Sequence, residues 1–191
     1  MDLCEVRPCT ASDIARELGM TIPTAHRLAG ALMAHQLLQR DLAGHFHLGQ
    51  RFTASRLRIV GRSVLEDLTS VVGETSQLWV ARGDLRVCTV SVVASRELRV
   101  ELDEGSRIPL RDGGSAVPVL AGDIPATGWV ESVSQRTPGA CSVSAPVYHD
   151  GMVAAALCVV APVSRVSTSP GQMFGSQAVA AAEEISASMH D

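Results

Sequence analysis

The stretch TASDIARELGMTIPTAHRLAGALMAHQLLQRDLAGHFHLG, residues 10–49, decides the front of the fold. Thr10 and Ser12 precede Asp13 and Glu17, and Ala11, Ile14, Ala15 and Leu18 share one face. That pattern predicts a short capped helix, which Gly19 ends. Thr21 then caps a second helix, with Pro23 in its first turn. Ala25, Leu28, Ala29, Leu32 and Met33 recur at i, i+3, i+4, i+7 and i+8, so they form one apolar stripe. Pro23, Thr24, Arg27 and Ala34 lie opposite the stripe, with His26 and Gly30 at its border.

Two short helices joined by a three-residue turn that begins with Gly make a helix-turn-helix pattern. The second helix exposes small and hydrogen-bonding side chains near its N-terminus. A recognition helix needs those residues, because small groups allow close approach to a groove and Arg can fork onto guanine. Leu37–Arg40 and His45–Leu48 flank Asp41-Leu42-Ala43-Gly44, which predicts a hairpin that would serve as a wing. The same pieces would also suit a small α+β packing unit; their order and spacing favour DNA.

Composition bounds the remaining choices. At 191 residues, the chain suits one or two small domains. Apolar residues make up 46%, well above the range of disordered chains. Aromatic residues make up only 3%, so the core must be built from Val, Leu, Ala and Ile. All 16 basic residues are Arg. The net charge of −4 divides unevenly: residues 1–62 carry +3 and residues 63–191 carry −7. A positive front on an acidic body fits a DNA-binding head. No apolar run approaches the ~20 residues of a membrane span, and Met1–Thr10 does not read as a signal peptide. Five widely spaced Cys without a CxxC pair suggest reduced thiols in a cytoplasmic protein.

Beyond the head, residues 53–62 read as a connecting segment. Val64, Leu65, Leu68, Val71 and Val72 give a helical stripe closed by Gly73-Glu74. Strands follow over Ser76–Arg82 and Leu85–Ala94, and Arg96–Leu102 alternates as a strand would before Asp103-Glu104-Gly105 turns it. Ala140–Tyr148 and Met152–Ala161 are apolar runs around His149-Asp150-Gly151, a hairpin signal. Gln172–Met189 closes the chain as a helix, with Phe174, Ala178, Ala181, Ala182 and Ile185 at helical spacing. Helix, strands and closing helix imply an antiparallel α+β domain.

The run at 10–49 resembles the DNA-binding domain of IclR-type bacterial regulators. The likeness rests on Pro23-Thr24-Ala25-His26-Arg27-Leu28, Gln39-Arg40-Asp41 and the Gly44 wing ending in Leu48-Gly49. Gly73-Glu74-Thr75, Gly105-Ser-Arg-Ile-Pro-Leu110, Ser142-Val-Ser-Ala-Pro-Val147 and Ala161-Pro-Val-Ser-Arg165 resemble the GAF-like effector domain of the same family. The resemblance implies an α+β protein with a winged helix-turn-helix at 1–52, a linker and connecting helix at 53–72, and a GAF-like antiparallel-sheet effector domain at 73–191. It places Thr21, Pro23, Thr24, His26 and Arg27 at or near DNA, with Arg40 and His45 of the wing as backbone support. It implies effector contacts from Leu110, Ser115, Ser142, Ser144, Cys158 and Val160, for an unidentified metabolite. It also implies a homodimer, or a dimer of dimers, acting as a repressor or activator on a near-palindromic operator. Gly105–Leu120 and the ending look closest to actinobacterial members linked to leucine and other amino-acid biosynthesis. Two departures stand out. The family has a full helix where this chain has only Met1–Val6, so the head would lack part of its small core. The family also has two or more helices where this chain has only Leu120–Trp129, next to the pocket.

Other chemistry is poorly supported. Cys141, Cys158 and His149 lie on neighbouring strands, but the two Cys sit in runs of Ala, Val and Ser, where Cys behaves as a small hydrophobe. No catalytic residues and no cofactor are expected. No ligand pair has metal-site spacing. Gly113-Gly114 lacks the lysine of a P-loop. Its amides and neighbouring hydroxyls could hold a small anion, or it could be a surface turn. Trp129 walls the pocket or sits in the core.

Overall fold

The computed structural model describes residues 4, 7–35, 37–41 and 43–189, and of residues 50–54 the backbone only. The chain forms two compact units, Met1–Arg56 and Leu57–Asp191.

In the first unit, Thr10 caps α1 (Ala11–Glu17) in a capping box: its hydroxyl accepts from the Asp13 N–H, and the Asp13 carboxylate accepts from the Thr10 N–H. The Thr10 hydroxyl also donates to that carboxylate at 2.6 Å, and this bond, followed by the Thr10 N–H bond, holds the Asp13 carboxyl down at about 2. Gly19 leaves the helix at φ +62, a conformation open to glycine. α2 (Ile22–Ala34) follows, with Pro in its first turn. β1 (Leu38–Arg40) and β2 (Phe46–Leu48) pair antiparallel, Gln39 opposite His47. Cys9, Ala11, Ile14, Ala15, Ala25, Ala29, Leu38 and Phe46 form a small core.

Three expectations change here. Of the α2 stripe only Ala25 and Ala29 are buried, whereas Leu28 is 39% exposed. Leu18, expected on the buried face of α1, is 55% exposed. Both line an apolar groove with Ile14, Leu32 and Leu38; among the described residues no further element of this unit covers it. Cys4 and Cys9, expected as thiols, form a disulfide. They are five apart in sequence, and the backbone brings their Cα atoms to 5.7 Å, within bridging range. Apart from Cys4, the Met1–Val6 stretch lies outside the described residues.

α3 (Gln50–Val72) is one continuous helix, where a connecting segment was expected up to residue 62. The period does not break: Leu57, Val64, Leu65 and Leu68 are buried, and Arg58 and Arg62 interrupt the stripe only on the exposed side. Val71, expected on the stripe, is 74% exposed.

The second unit is built on a six-stranded antiparallel sheet, in the order β5-β4-β3-β8-β7-β6. Its strands are β3 (Thr75–Arg82), β4 (Leu85–Val92), β5 (Arg107–Pro109), β6 (Val130–Val133), β7 (Ala140–His149) and β8 (Met152–Pro162). Asp150 and Gly151 turn between β7 and β8 at φ +51 and +73, as a primed hairpin turn requires. α5 (Pro170–Ser188), capped by Ser169, buries Phe174, Ala178, Ala181, Ala182 and Ile185. These residues and the α3 stripe pack with Leu78, Val143, Leu157 and Val159 of the sheet in one core. The opposite face carries the short α4 (Ala116–Ala121) over Trp79, Cys88, Ala156 and Cys158.

Arg96–Leu102 does not form a strand. Arg96 Nε donates to the Gly73 carbonyl at 2.8 Å, and Arg99 bonds Glu101 and the Arg96 carbonyl. Arg96 is thus tied to the end of α3, and only Arg99 turns back on its own segment. The edge of β4 is taken by β5, Arg86 opposite Ile108. β6, paired Ser132 to Ser142, was not anticipated.

A bulge interrupts β3 and β4. Leu78 pairs with Val90, but Trp79 pairs with Cys88, so Thr89 is the extra residue. Its hydroxyl donates to the Leu78 carbonyl at 3.0 Å. An extra residue puts the side chains on either side of it out of the usual alternation. Val90 therefore joins the helix-covered core, while Cys88 joins Trp79 on the other face.

Candidate DNA-contact surface and effector cavity

The start of α2 is open to solvent. Thr21, Pro23, His26 and Arg27 are exposed, and Thr24 is half-buried. The hydroxyls of Thr21 and Thr24 lie 2.9 Å apart. Thr21 makes no side-chain cap to the helix, so its hydroxyl is not committed to the helix N–H groups. His26 stands edge-on to Phe46, the ring centroids 6.5 Å apart.

The wing is braced from within. Arg40 Nε donates to the Gly44 carbonyl at 3.1 Å, and its guanidinium lies over the Phe46 ring at 5.5 Å. The His45 N–H donates to Asp41 at 2.8 Å, and His47 Nε2 lies 3.0 Å from the same carboxylate. The His47 bond, then the His45 backbone bond, holds the Asp41 carboxyl down at about 2. Arg40 and His45 sit at the turn, held by wing contacts rather than extended away from it.

In the second unit a cavity of about 50 Å³ lies on the α4 side of the sheet. Ser115, Ser142, Cys158 and Val160 line it. Ser144 is fully buried and is not among the lining residues; its hydroxyl lies 2.8 Å from that of Ser115, which also meets Ser142 at 2.7 Å and the Cys158 sulfur at 3.9 Å. Leu110 lies in the short turn Leu110–Asp112, half-buried and outside the lining. Gly114 reaches the cavity at φ +95, its N–H donating to Gln135 at 3.0 Å. Trp129 does not line the cavity; it packs against Gly171 and Gly175 of α5.

Sequence reading missed Arg86, Gln77 and Trp79. Arg86 is 3% exposed, and its Nε and Nη1 have no hydrogen-bond partner. Its guanidinium lies 5.2 Å over Trp79. Burial, foremost, lowers its pKa, and Arg136 at the cavity adds to that, while Cys158 and Asp112 oppose it. An arginine stays charged even so. Gln77 Nε2 is also buried without a partner. A signal was available: Arg86 sits two residues before Cys88, on the same face of the strand, and is its one charged residue.

The thiols are not poised for catalysis. Burial raises all three, pushing Cys88 to about 12, and the thiolate is the nucleophile. Among the described residues no group of three or more His, Cys, Asp or Glu could hold a metal ion, and no helix is long and apolar enough to cross a membrane.

Two family profiles match the chain. The IclR helix-turn-helix domain matches residues 5–42, and the bacterial transcriptional regulator IclR C-terminal domain matches residues 122–187. Together they span more than half of the sequence. The chain belongs to the IclR family of transcription regulators. The first match contains α1, α2 and the first strand of the wing, and the second contains β6 to β8 and all but the last residue of α5. Ser142, Ser144, Cys158 and Val160 fall inside the second match; Arg86 and Ser115 fall outside both.

This IclR-family chain is 24% identical to the HTH-type transcriptional regulator BhcR of Paracoccus denitrificans, over 94% of this chain and 80% of the relative. An IclR-family regulator from Rhodococcus sp. shares its fold at a TM-score of 0.63 and 22% identity, covering 94% of this chain and 85% of that one. An IclR homolog from Microbacterium hydrocarbonoxydans, solved in complex with 4-hydroxybenzoate, does so at 0.60 and 20%, covering 95% and 91%. The protein is thus a DNA-binding regulator with an effector-binding C-terminal domain.

Proposed function

We propose that the first unit reads an operator through the start of α2, and that a small metabolite in the cavity of the second unit controls that binding. The observation that carries this reading is the open N-terminal turn of α2, where Thr21, Pro23, His26 and Arg27 face solvent beside Thr24. These side chains would enter the major groove, and Arg40 and His45 would lie along the backbone from the wing. Ser115, Ser142, Cys158 and Val160 would contact the effector, with Ser144 supporting Ser115 from behind. Leu110 would act through the adjoining turn.

Two copies would read two half-sites, as dimer symmetry requires, and two such dimers could join as a tetramer. The working form is a repressor released by its effector through a population shift. The resemblance over Gly105–Leu120 points to genes of amino-acid biosynthesis, leucine among them. A cytoplasmic location follows from DNA as the target.

Gel shifts on the DNA upstream of the protein's own gene test this. Arg27→Ala is expected to weaken specific binding by ~1–3 kcal/mol while leaving random-sequence binding unchanged. Binding should also weaken steeply with salt as counterions are released. Equal affinity for upstream and random DNA at moderate salt would refute the reading. The apolar groove at Leu18 and Leu28 favours a second reading, in which the head contacts protein. Binding to a partner with little salt dependence and no DNA affinity would select it.

A further inference from the structure

We infer that Cys4 and Cys9 form a thiol–disulfide switch on the first unit: the bridged form braces the wing and α2 for DNA, and exchange with a small thiol opens the bridge and weakens that binding. The consequence for DNA rests on the reading of α2 as the helix that meets the operator; the exchange itself does not.

The pair stands apart from the other cysteines. Cys88, Cys141 and Cys158 are buried in the second unit and unbridged. Burial raises all three thiols, so they carry little of the reactive thiolate. Cys4 and Cys9 are joined, their Cα atoms 5.7 Å apart. Cys9 is fully buried, but Cys4 is only half-buried, so the bridge is open to attack from the Cys4 side. A protein that works on DNA inside the cell meets a pool of reducing thiols, where disulfides are usually transient and redox-sensing.

The fold has a place for both states. In the bridged form Cys4 packs against the small core and lines the apolar groove beside Leu28 and Leu32 of α2. In the opened form the Cys9 thiol has an acceptor at hand, because its sulfur lies 3.7 Å from the Phe46 carbonyl. A free thiol is otherwise at home in such a core as a small hydrophobe.

The bridge reaches the DNA-contact surface from two sides. The Cys9 N–H donates to the Phe46 carbonyl at 3.0 Å, and the Cys9 carbonyl accepts from the Phe46 N–H at 2.7 Å. Phe46 is the ring under the Arg40 guanidinium and the one His26 meets edge-on. Cys4 touches the other side of α2 through the groove. A cross-link between these two places restricts the wing and α2 together. A head already ordered loses less entropy on binding, so the bridged form binds DNA more tightly.

The step is an exchange. A thiolate attacks the Cys4 sulfur, the Cys4–Cys9 bond breaks, and Cys9 leaves as a thiolate and takes up a proton. A second thiolate attacks the small molecule's sulfur in the mixed disulfide and releases Cys4, which also takes up a proton. Two small thiols are oxidised to one disulfide, and the protein bridge is reduced to two thiols. A small-molecule disulfide drives the reverse.

The test places the full chain in glutathione buffers of graded reduced-to-oxidised ratio. Alkylation with mass spectrometry reads the thiols, and gel shifts on the upstream DNA read binding. Cys4 and Cys9 should become labelled together within the range of ratios, while Cys88, Cys141 and Cys158 resist labelling until the chain is denatured. Specific affinity should follow the same curve and be about fivefold or more lower in the reduced protein. Cys4→Ala should bind like the reduced wild type at every ratio, with Cys4→Ser as the second variant; the labelling curve needs neither. The inference is overturned if the pair stays bridged or stays open throughout, or if glutathione remains on Cys4 in place of the bridge. It is also overturned if the reduced protein binds DNA as tightly as the oxidised one or more tightly, or if Cys4→Ala still responds to the ratio. Equal specific binding in both states leaves the proposed function standing without this inference. Specific binding in neither state refutes the proposed function and the consequence for DNA, while the labelling curve still decides the exchange.

Discussion

The two faces of the six-stranded sheet use the same strands, one residue out of step, for opposite ends. Toward α3 and α5, the strands present Leu78, Val143, Leu157 and Val159, closed over by Leu65, Phe174 and Ile185. Toward α4, they present Gln77, Arg86, Ser144 and Cys158. The first face gains stability from apolar area removed from water. The second buries charge and amide groups that the protein itself leaves unpaired, which costs stability. A strand's two-residue period lets one sheet carry both roles without either intruding on the other.

The largest expected effect lies on the helix side. Leu157→Ala removes a fully buried side chain and should cost ~2–5 kcal/mol in urea unfolding. The loss should be the same with or without an effector; a loss that vanished when an effector was added would break the division between the faces. Next comes Gly175→Ala. Alanine in a helix interior normally gains ~0.5–1 kcal/mol over glycine. Here an added Cβ would sit 2.6 Å from the Trp129 ring, so a net loss of ~1–3 kcal/mol is expected, read as a lower Tm. The smallest effect belongs to the cavity side. Ser144→Ala removes one of two hydroxyl partners of Ser115 and should cost ~0.5–1.5 kcal/mol. A cost as large as that of Leu157→Ala would mean that the polar face is structural after all.

What could be read from sequence was what local chemistry settles. Thr10 and Asp13 are three residues apart and cap α1 with no outside help. Asp150-Gly151 sets a hairpin within its own four residues. The Arg96–Leu102 alternation misled because its decisive contact, Arg96 to the Gly73 carbonyl, spans 23 residues and competes with an edge already held by β5. β6 escaped notice because four residues carry little pattern, and its identity as a strand comes from β7. α3 was cut short because Arg56, Arg58 and Arg62 dominate its start, although Leu57 already lies on the buried stripe. In the cavity, Ser115, Ser142, Cys158 and Val160 came from a resemblance, whereas Arg86 required knowing which way β4 faces. The bulge at Thr89 obscures that, because counting back by twos from Val90 assigns Arg86 to the wrong side.

That bulge leaves β4 with one residue in reserve. Deleting codon 89 would make Cys88 and Val90 ordinary strand neighbours, on the opposite faces they already occupy. Their partners Trp79 and Leu78 are themselves adjacent, so the pairing would close over the gap without slipping. Arg86 would still reach the cavity, and only the Thr89 hydroxyl bond to Leu78 would be lost. In a strand of regular pleat the same deletion would turn every side chain up to the hairpin over to the other face. Evolution could therefore trim this strand by one residue without emptying the cavity of its charge, a freedom that the unbulged strand pair β3 and β8 does not share.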